Sequence, residues 1–256
     1  MIGKSVPASP DPAQTLRPSA RFDRLDALRG AAIVWMALFH FCFDLAYFRF
    51  IAADFYRDPF WTLQRTCIVS LFLLCAGMGQ VVAVAQGQSL PRFWRRWAQV
   101  AGCALLVSLG SWLMFPRSFI SFGVLHGMAV LLIVVLLFGP RLPGWALALL
   151  GLAALLAPHW QAHPWFDTRW TNWLGLVTRK PITEDYVPVL PWLGVMLWGY
   201  ALGRWVLQRR PDVLQGALPA AAQPLAVLGR WSLSFYMLHQ PVLIGLLWLL
   251  RQMLAT

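Results

Sequence analysis

The chain has 256 residues, of which 59% are hydrophobic and 12% charged; 21 Lys and Arg stand against 10 Asp and Glu, for a formal charge of +11. With a mean hydropathy of +0.60, this composition excludes an ordinary soluble domain and a disordered polar chain. It describes one all-α, polytopic integral membrane domain, because the apolar runs are continuous rather than alternating as in a barrel.

Residues 1–20 are rich in Pro, Ala and Ser and read as a disordered cytoplasmic tail, with the membrane domain occupying residues 21–256. The apolar run that follows is too long, and too poor in small cleavage-site residues, for a signal peptide. Seven spans are predicted, at 25–50, 63–85, 97–115, 119–139, 142–158, 188–208 and 229–252. The fifth is the shortest and begins with Pro143 and Gly144, so a tilted or re-entrant path is open to it.

The first span carries the strongest signal. Asp26, Arg29, His40 and Asp44 interrupt a run otherwise dominated by apolar side chains. Ionisable groups at membrane depth are costly and mark functional sites facing a bundle interior. At about 100° per residue, Arg29 and His40 lie roughly 20° apart around the axis and about 16 Å apart along it. His40 and Asp44 form an i,i+4 pair, so a carboxylate stands ready to orient an imidazole.

Topology follows from the placement of Lys and Arg. An N-in, C-out chain puts 13 of the 21 basic residues on the cytoplasmic side, among them Arg24, Arg29, Arg204 and Arg230. The net charge is then a topology signal and a contact with anionic headgroups, so membrane lipids are expected partners. Nucleic acid is not, since no basic patch sits on a soluble fold. Arg29, Arg24 and Arg230 gather at the inner mouth, where guanidinium forks suit phosphates; topology and snorkelling are the alternative roles.

Further along the chain, His126 lies in Phe122-Gly123-Val124-Leu125-His126-Gly127 and His239 in Tyr236-Met237-Leu238-His239-Gln240-Pro241. Each is a candidate to handle a proton or hold substrate, and a single interhelical hydrogen bond is the alternative. Asp185 precedes Tyr186-Val187-Pro188-Val189-Leu190-Pro191-Trp192; it either binds a polar acceptor or caps a helix. The segment from Pro158 to Tyr186 is the longest irregular stretch and is long enough to cover a site. Cys42, Cys67, Cys75 and Cys103 show no CxxC spacing and read as packing residues. His159 and His163 lack a carboxylate at motif spacing, so no metal is expected.

Arg24-Leu-Asp-Ala-Leu-Arg-Gly30, the ten-residue gap from Arg29 to His40, and Phe43-Asp44-Leu45 resemble the first span of the bacterial heparan-α-glucosaminide N-acetyltransferase-like membrane acyltransferases. So do Phe122 to His126, Val187 to Trp192, and Leu228 to Pro241. The resemblance covers roughly residues 21–250. It implies an acetyl-CoA-dependent N- or O-acetyltransferase of a bacterial inner (plasma) membrane. Acetyl-CoA would be the acyl donor from the cytoplasm, and an extracytoplasmic glycan or amino sugar the acceptor. The resemblance matches Arg29 and His40 to the family's arginine and histidine; with the residue readings above, His40, Asp44 and His126 are expected to be catalytic, Arg29, Arg24 and Arg230 to bind the donor, and Asp185 and His239 to bind the acceptor. Lysosomal members place a catalytic histidine in the loop after the first span. The segment from Arg49 to Asp58 has none, so the base is reassigned to His40 and heparan specificity does not carry over. A proton-coupled transporter using the same His and Asp residues as a relay is the alternative function. The acceptor and the oligomeric state, a homo-oligomer included, stay open.

Overall fold

The computed structural model describes residues 22–254; the tail expected at 1–20 lies outside them. Eight α-helices follow in chain order: α1 (Asp23–Tyr47), α2 (Pro59–Ala85), α3 (Leu90–Met114), α4 (Val124–Phe138), α5 (Gly144–Trp160), α6 (Val189–Arg209), α7 (Gln223–Arg230) and α8 (Ser232–Leu254). Among the described residues there is no strand, and one isolated bridge joins Phe122 to Tyr186. The all-helical membrane fold expected from composition is what forms.

By length and composition, α1, α2, α3 and α8 are long and apolar enough to cross a membrane. The 25 residues of α1 extend about 37 Å, against a hydrocarbon core of roughly 30 Å. The 15 residues of α4 and 17 of α5 reach only about 22 and 25 Å.

Local chemistry sets the helix ends. The Asp58 carboxylate accepts from the Phe60 N–H at 2.9 Å, with Pro59 at the first helical position of α2, where its missing N–H costs nothing. At the start of α6, Leu190 holds φ −101° and ψ 133°, the extended backbone that a following proline imposes. The predicted fourth span begins at 119, whereas α4 begins at Val124. Residues before it are held by the Phe122–Tyr186 bridge.

The last predicted span differs more. Its helix starts six residues before 229 and breaks at Trp231, separating α7 from α8. The Trp231 N–H is shared between the Val227 and Leu228 carbonyls, and Phe235 N–H donates to Trp231 O, so hydrogen bonding passes through the break.

The core is built on α6, which lies between α2 and α5. Leu73, Leu131, Leu147 and Met196 are fully buried there. Backbone contact replaces side-chain contact at two crossings. A Cβ on Gly77 would meet the Met196 carbonyl, and one on Gly30 would meet the Leu225 carbonyl of α7. Such small-residue contacts bring helices together where lipid gives no hydrophobic drive. Gly229 of α7 lies against Asp26 and Gly30, so α7 and α8 follow α1 along its length. That pairing positions the site.

Candidate functional site

His40 Nδ1 lies 2.7 Å from His239 Nε2, joining α1 to α8 across 199 residues of sequence. His239 Nδ1 lies 2.7 Å from the Tyr236 carbonyl oxygen. A carbonyl can only accept, so His239 Nδ1–H is the donor. In neutral His239 the Nε2 is then unprotonated and accepts from His40 Nδ1–H. The other nitrogen of His40, Nε2, therefore carries a lone pair. No hydrogen bond occupies it among the described residues, and His40 is part-exposed while His239 is buried. Phe235 and Tyr236 flank the His239 ring, with centroids 5.9 and 5.7 Å away.

Asp44 does not orient His40. Its Oδ1 accepts from Gln240 Nε2 at 2.8 Å, one rung along the same α1–α8 contact. Asp44 is 2% exposed, and its Oδ2 and the Gln240 Oε1 are buried with no hydrogen-bond partner. Two unpaired acceptors on one hydrogen-bonded pair of side chains suit a group that brings N–H or O–H donors, since orphaned buried polar atoms are costly. Gln240 and the Tyr236 carbonyl were absent from the sequence-based set. Both flank His239 in the same motif, at one residue after and three before it, and that helical spacing was the available signal.

The arginines lie at the opposite end of α1, and they part company. Arg29 pairs with Asp26 at 2.8 Å and turns toward α2, where a Cβ on Gly79 would stand 3.1 Å from its Nη2. Arg24 donates to the Asp212 carbonyl at 2.8 Å in the segment after α6. Arg230, at the α7–α8 break, donates its Nε to Ala226 O at 3.2 Å and lies beside α3. The structure thus divides the predicted polar stripe. Arg29 faces α2, while His40 and Asp44 face α8.

His126 and Asp185 belong to a separate network around the start of α4. Ser108 Oγ donates to Ile120 O at 2.6 Å and so accepts from His126 Nε2–H at 3.0 Å. His126 Nδ1 accepts from Gly123 N–H at 3.3 Å. Both ring nitrogens are engaged, and no contact joins His126 to the His40 pair among the described residues. Asp185 Oδ2 accepts from Val124 N–H at 2.7 Å, capping α4 from a distant part of the chain. Burial raises its pKa above the usual carboxylate value, against the pull of the Val124 N–H, Arg65 and Lys180. Tyr56 donates to Glu184 at 3.0 Å, and burial with that carboxylate pushes its hydroxyl up to about 12. Among the described residues no three His, Cys, Asp or Glu side chains converge as a metal set, and the four cysteines are free thiols.

The site therefore offers a free imidazole nitrogen one helical turn from a carboxylate with an unpaired oxygen, in a helical membrane fold with arginines toward the other end of the same helix. Such an arrangement can take a proton from a nucleophile that those acceptors hold. No curated protein and no solved structure matches the chain. The family described as heparan-alpha-glucosaminide N-acetyltransferase, catalytic, matches residues 21–241, a stretch that includes α1, the α4 start and the α7–α8 motif up to Pro241. The chain belongs to this acetyltransferase family.

Proposed function

We propose that the protein transfers an acetyl group from acetyl-CoA to the amine or hydroxyl of a glycan or amino sugar across the membrane, with His40 Nε2 as general base. The observation that carries this reading is the chain from the Tyr236 carbonyl through His239 to His40. It fixes which imidazole nitrogen holds the lone pair. The acceptor's N–H or O–H donates to Asp44 Oδ2 and Gln240 Oε1, which places its heavy atom beside His40. His40 takes the proton as that atom attacks the thioester carbonyl carbon. The carbon–sulfur bond then breaks, and the thiolate takes the proton back from His40. His239 acts here as a positioning residue rather than as a substrate ligand.

Arg29 and Arg24, at the other end of α1, hold the donor's phosphates. Asp26 occupies Arg29 until they arrive, and Arg29 Nη2 lies against the open flank of Gly79. His126 and Asp185 hold the start of α4 and the loop above it. Family membership favours acyl transfer over a proton-coupled transporter built from the same residues.

Purified protein in detergent is expected to bind acetyl-CoA and to acetylate an amino sugar such as glucosamine. Arg29→Ala should weaken acetyl-CoA binding roughly ten- to a hundred-fold, the loss of a charge-assisted contact worth about 1.5–3 kcal/mol. Isothermal titration measures this directly. Wild-type protein that binds no acetyl-CoA at millimolar concentration overturns the reading, and unchanged affinity in Arg29→Ala moves the phosphates elsewhere.

Seven crossings with the N-terminus inside the cytoplasm of a bacterial inner membrane complete the proposal, supported by the basic residues concentrated on one side. A reporter fused after residue 215 should be cytoplasmic and one fused at Thr256 should lie outside. Both reporters on one side would remove or add a crossing.

A further inference from the structure

α3 and α8 are the least enclosed of the long helices. Only 11% of the apolar window of each is buried in the bundle, against 33% for α1 and 39% for α2. Between them runs a groove of about 620 Å³, within the roughly 300–1,000 Å³ typical of ligand sites. Gly102 and Leu106 form part of the α3 wall, and Ser234, Met237 and Leu238 part of the other. A Cβ added at Gly102 would meet nothing within 4 Å, so the groove is open beside it.

One end of this groove carries a cation. Arg230 lines it at the α7–α8 break, exposed, and its single hydrogen bond uses Nε. No carboxylate lies within ion-pair distance of it among the described residues; its carboxylate neighbour Asp26 pairs with Arg29. From Arg230, the groove-lining turns of α8 reach Leu238, eight residues or about 12 Å along a helix. A guanidinium at the head of an apolar trough fits an amphiphile with an anionic phosphate and an aliphatic tail. Both walls belong to helices of membrane-crossing length and composition, so the amphiphile at hand is lipid.

We infer that the α3–α8 groove is a binding site for an anionic phospholipid, its phosphate on Arg230 and one acyl chain between Gly102, Leu106, Met237 and Leu238. Arg230 then serves a lipid rather than the nucleotide donor. The site is independent of the acetyl-transfer reading, because it uses none of the residues that hold or deprotonate the acceptor.

Native mass spectrometry of the purified protein, titrated with phosphatidylglycerol or phosphatidylcholine, tests the inference. Wild-type protein should retain one phosphatidylglycerol in preference to phosphatidylcholine. Arg230→Gln should weaken phosphatidylglycerol binding roughly ten-fold or more and abolish the preference, as expected for losing a charge-assisted contact. Gly102→Leu builds from a Cβ that meets nothing within 4 Å into the groove, so it should weaken both lipids while leaving helix content by circular dichroism unchanged. Retention of phosphatidylglycerol at wild-type strength in either variant overturns the inference. Displacement of the lipid from wild-type protein by acetyl-CoA overturns it too, by giving the Arg230 phosphate site to the donor.

Discussion

His40→Ala is expected to keep acetyl-CoA binding and to lose acetyl transfer by roughly 10²–10⁴-fold, the range typical of removing a positioned general base. The binding is retained because Arg29 and Arg24, which hold phosphate, lie about 16 and about 24 Å away along α1 and share no hydrogen bond with the histidine pair among the described residues. The wild-type pH–rate profile should carry an ionisation that disappears in the variant, since only the unprotonated Nε2 can accept the acceptor's proton. His126→Ala is the control. Its imidazole bonds Ser108 and the Gly123 N–H, so its loss should lower thermal stability more than turnover. A larger loss of turnover at His126 than at His40 would exchange their roles. Wild-type turnover in His40→Ala would end the mechanism while leaving an acetyltransferase with another base.

The second large effect is expected at His239, and it turns on the substituent. His239→Phe removes the acceptor from His40 Nδ1–H and leaves a donor unpaired in an apolar setting. That costs about 1–3 kcal/mol, so the imidazole shifts its proton to Nε2 or turns away. The corresponding loss of turnover is roughly five- to a hundred-fold, with KM for acetyl-CoA unchanged. His239→Gln supplies an amide oxygen that can accept from His40 Nδ1–H, so it should recover most of the rate and restore the wild-type pH profile. Equal loss in Phe and Gln variants would make His239 a substrate ligand or a packing residue instead. Full activity in His239→Phe would free His40 from any need for a partner.

The two histidines also show where reading the chain reached its limit. His40 was recognised from its place in an apolar run and its distance from Arg29. The partner its own helix offers is Asp44, the nearest carboxylate on the same face. An i,i+4 spacing makes that pair adjacent on the helix surface but says nothing of what the opposite helix presents. α8 presents His239 to His40 and Gln240 to Asp44, and each polar group reaches across the interface rather than along its own helix. In lipid the neighbouring helix competes for such groups on equal terms with the local turn. Asp185 shows the same limit differently. Capping was one of its two expected roles, but the helix it caps is α4 and not the one it precedes.

Continuous apolar runs were enough to place the long helices, because lipid obliges each crossing segment to satisfy its own backbone hydrogen bonds. Those constraints act within a segment, so they are written in consecutive residues. The break at Trp231 left no such mark, since the chain there keeps its hydrogen bonds. The sequence by itself determined an all-helical membrane fold, the end of α1 that carries the arginines, and the motifs of an acetyltransferase family. Only the tertiary structure decided which helices meet. Bare glycine contacts at Gly30 and Gly229 align α7 and α8 along α1, and that alignment makes His239, rather than Asp44, the group that sets the free nitrogen of His40.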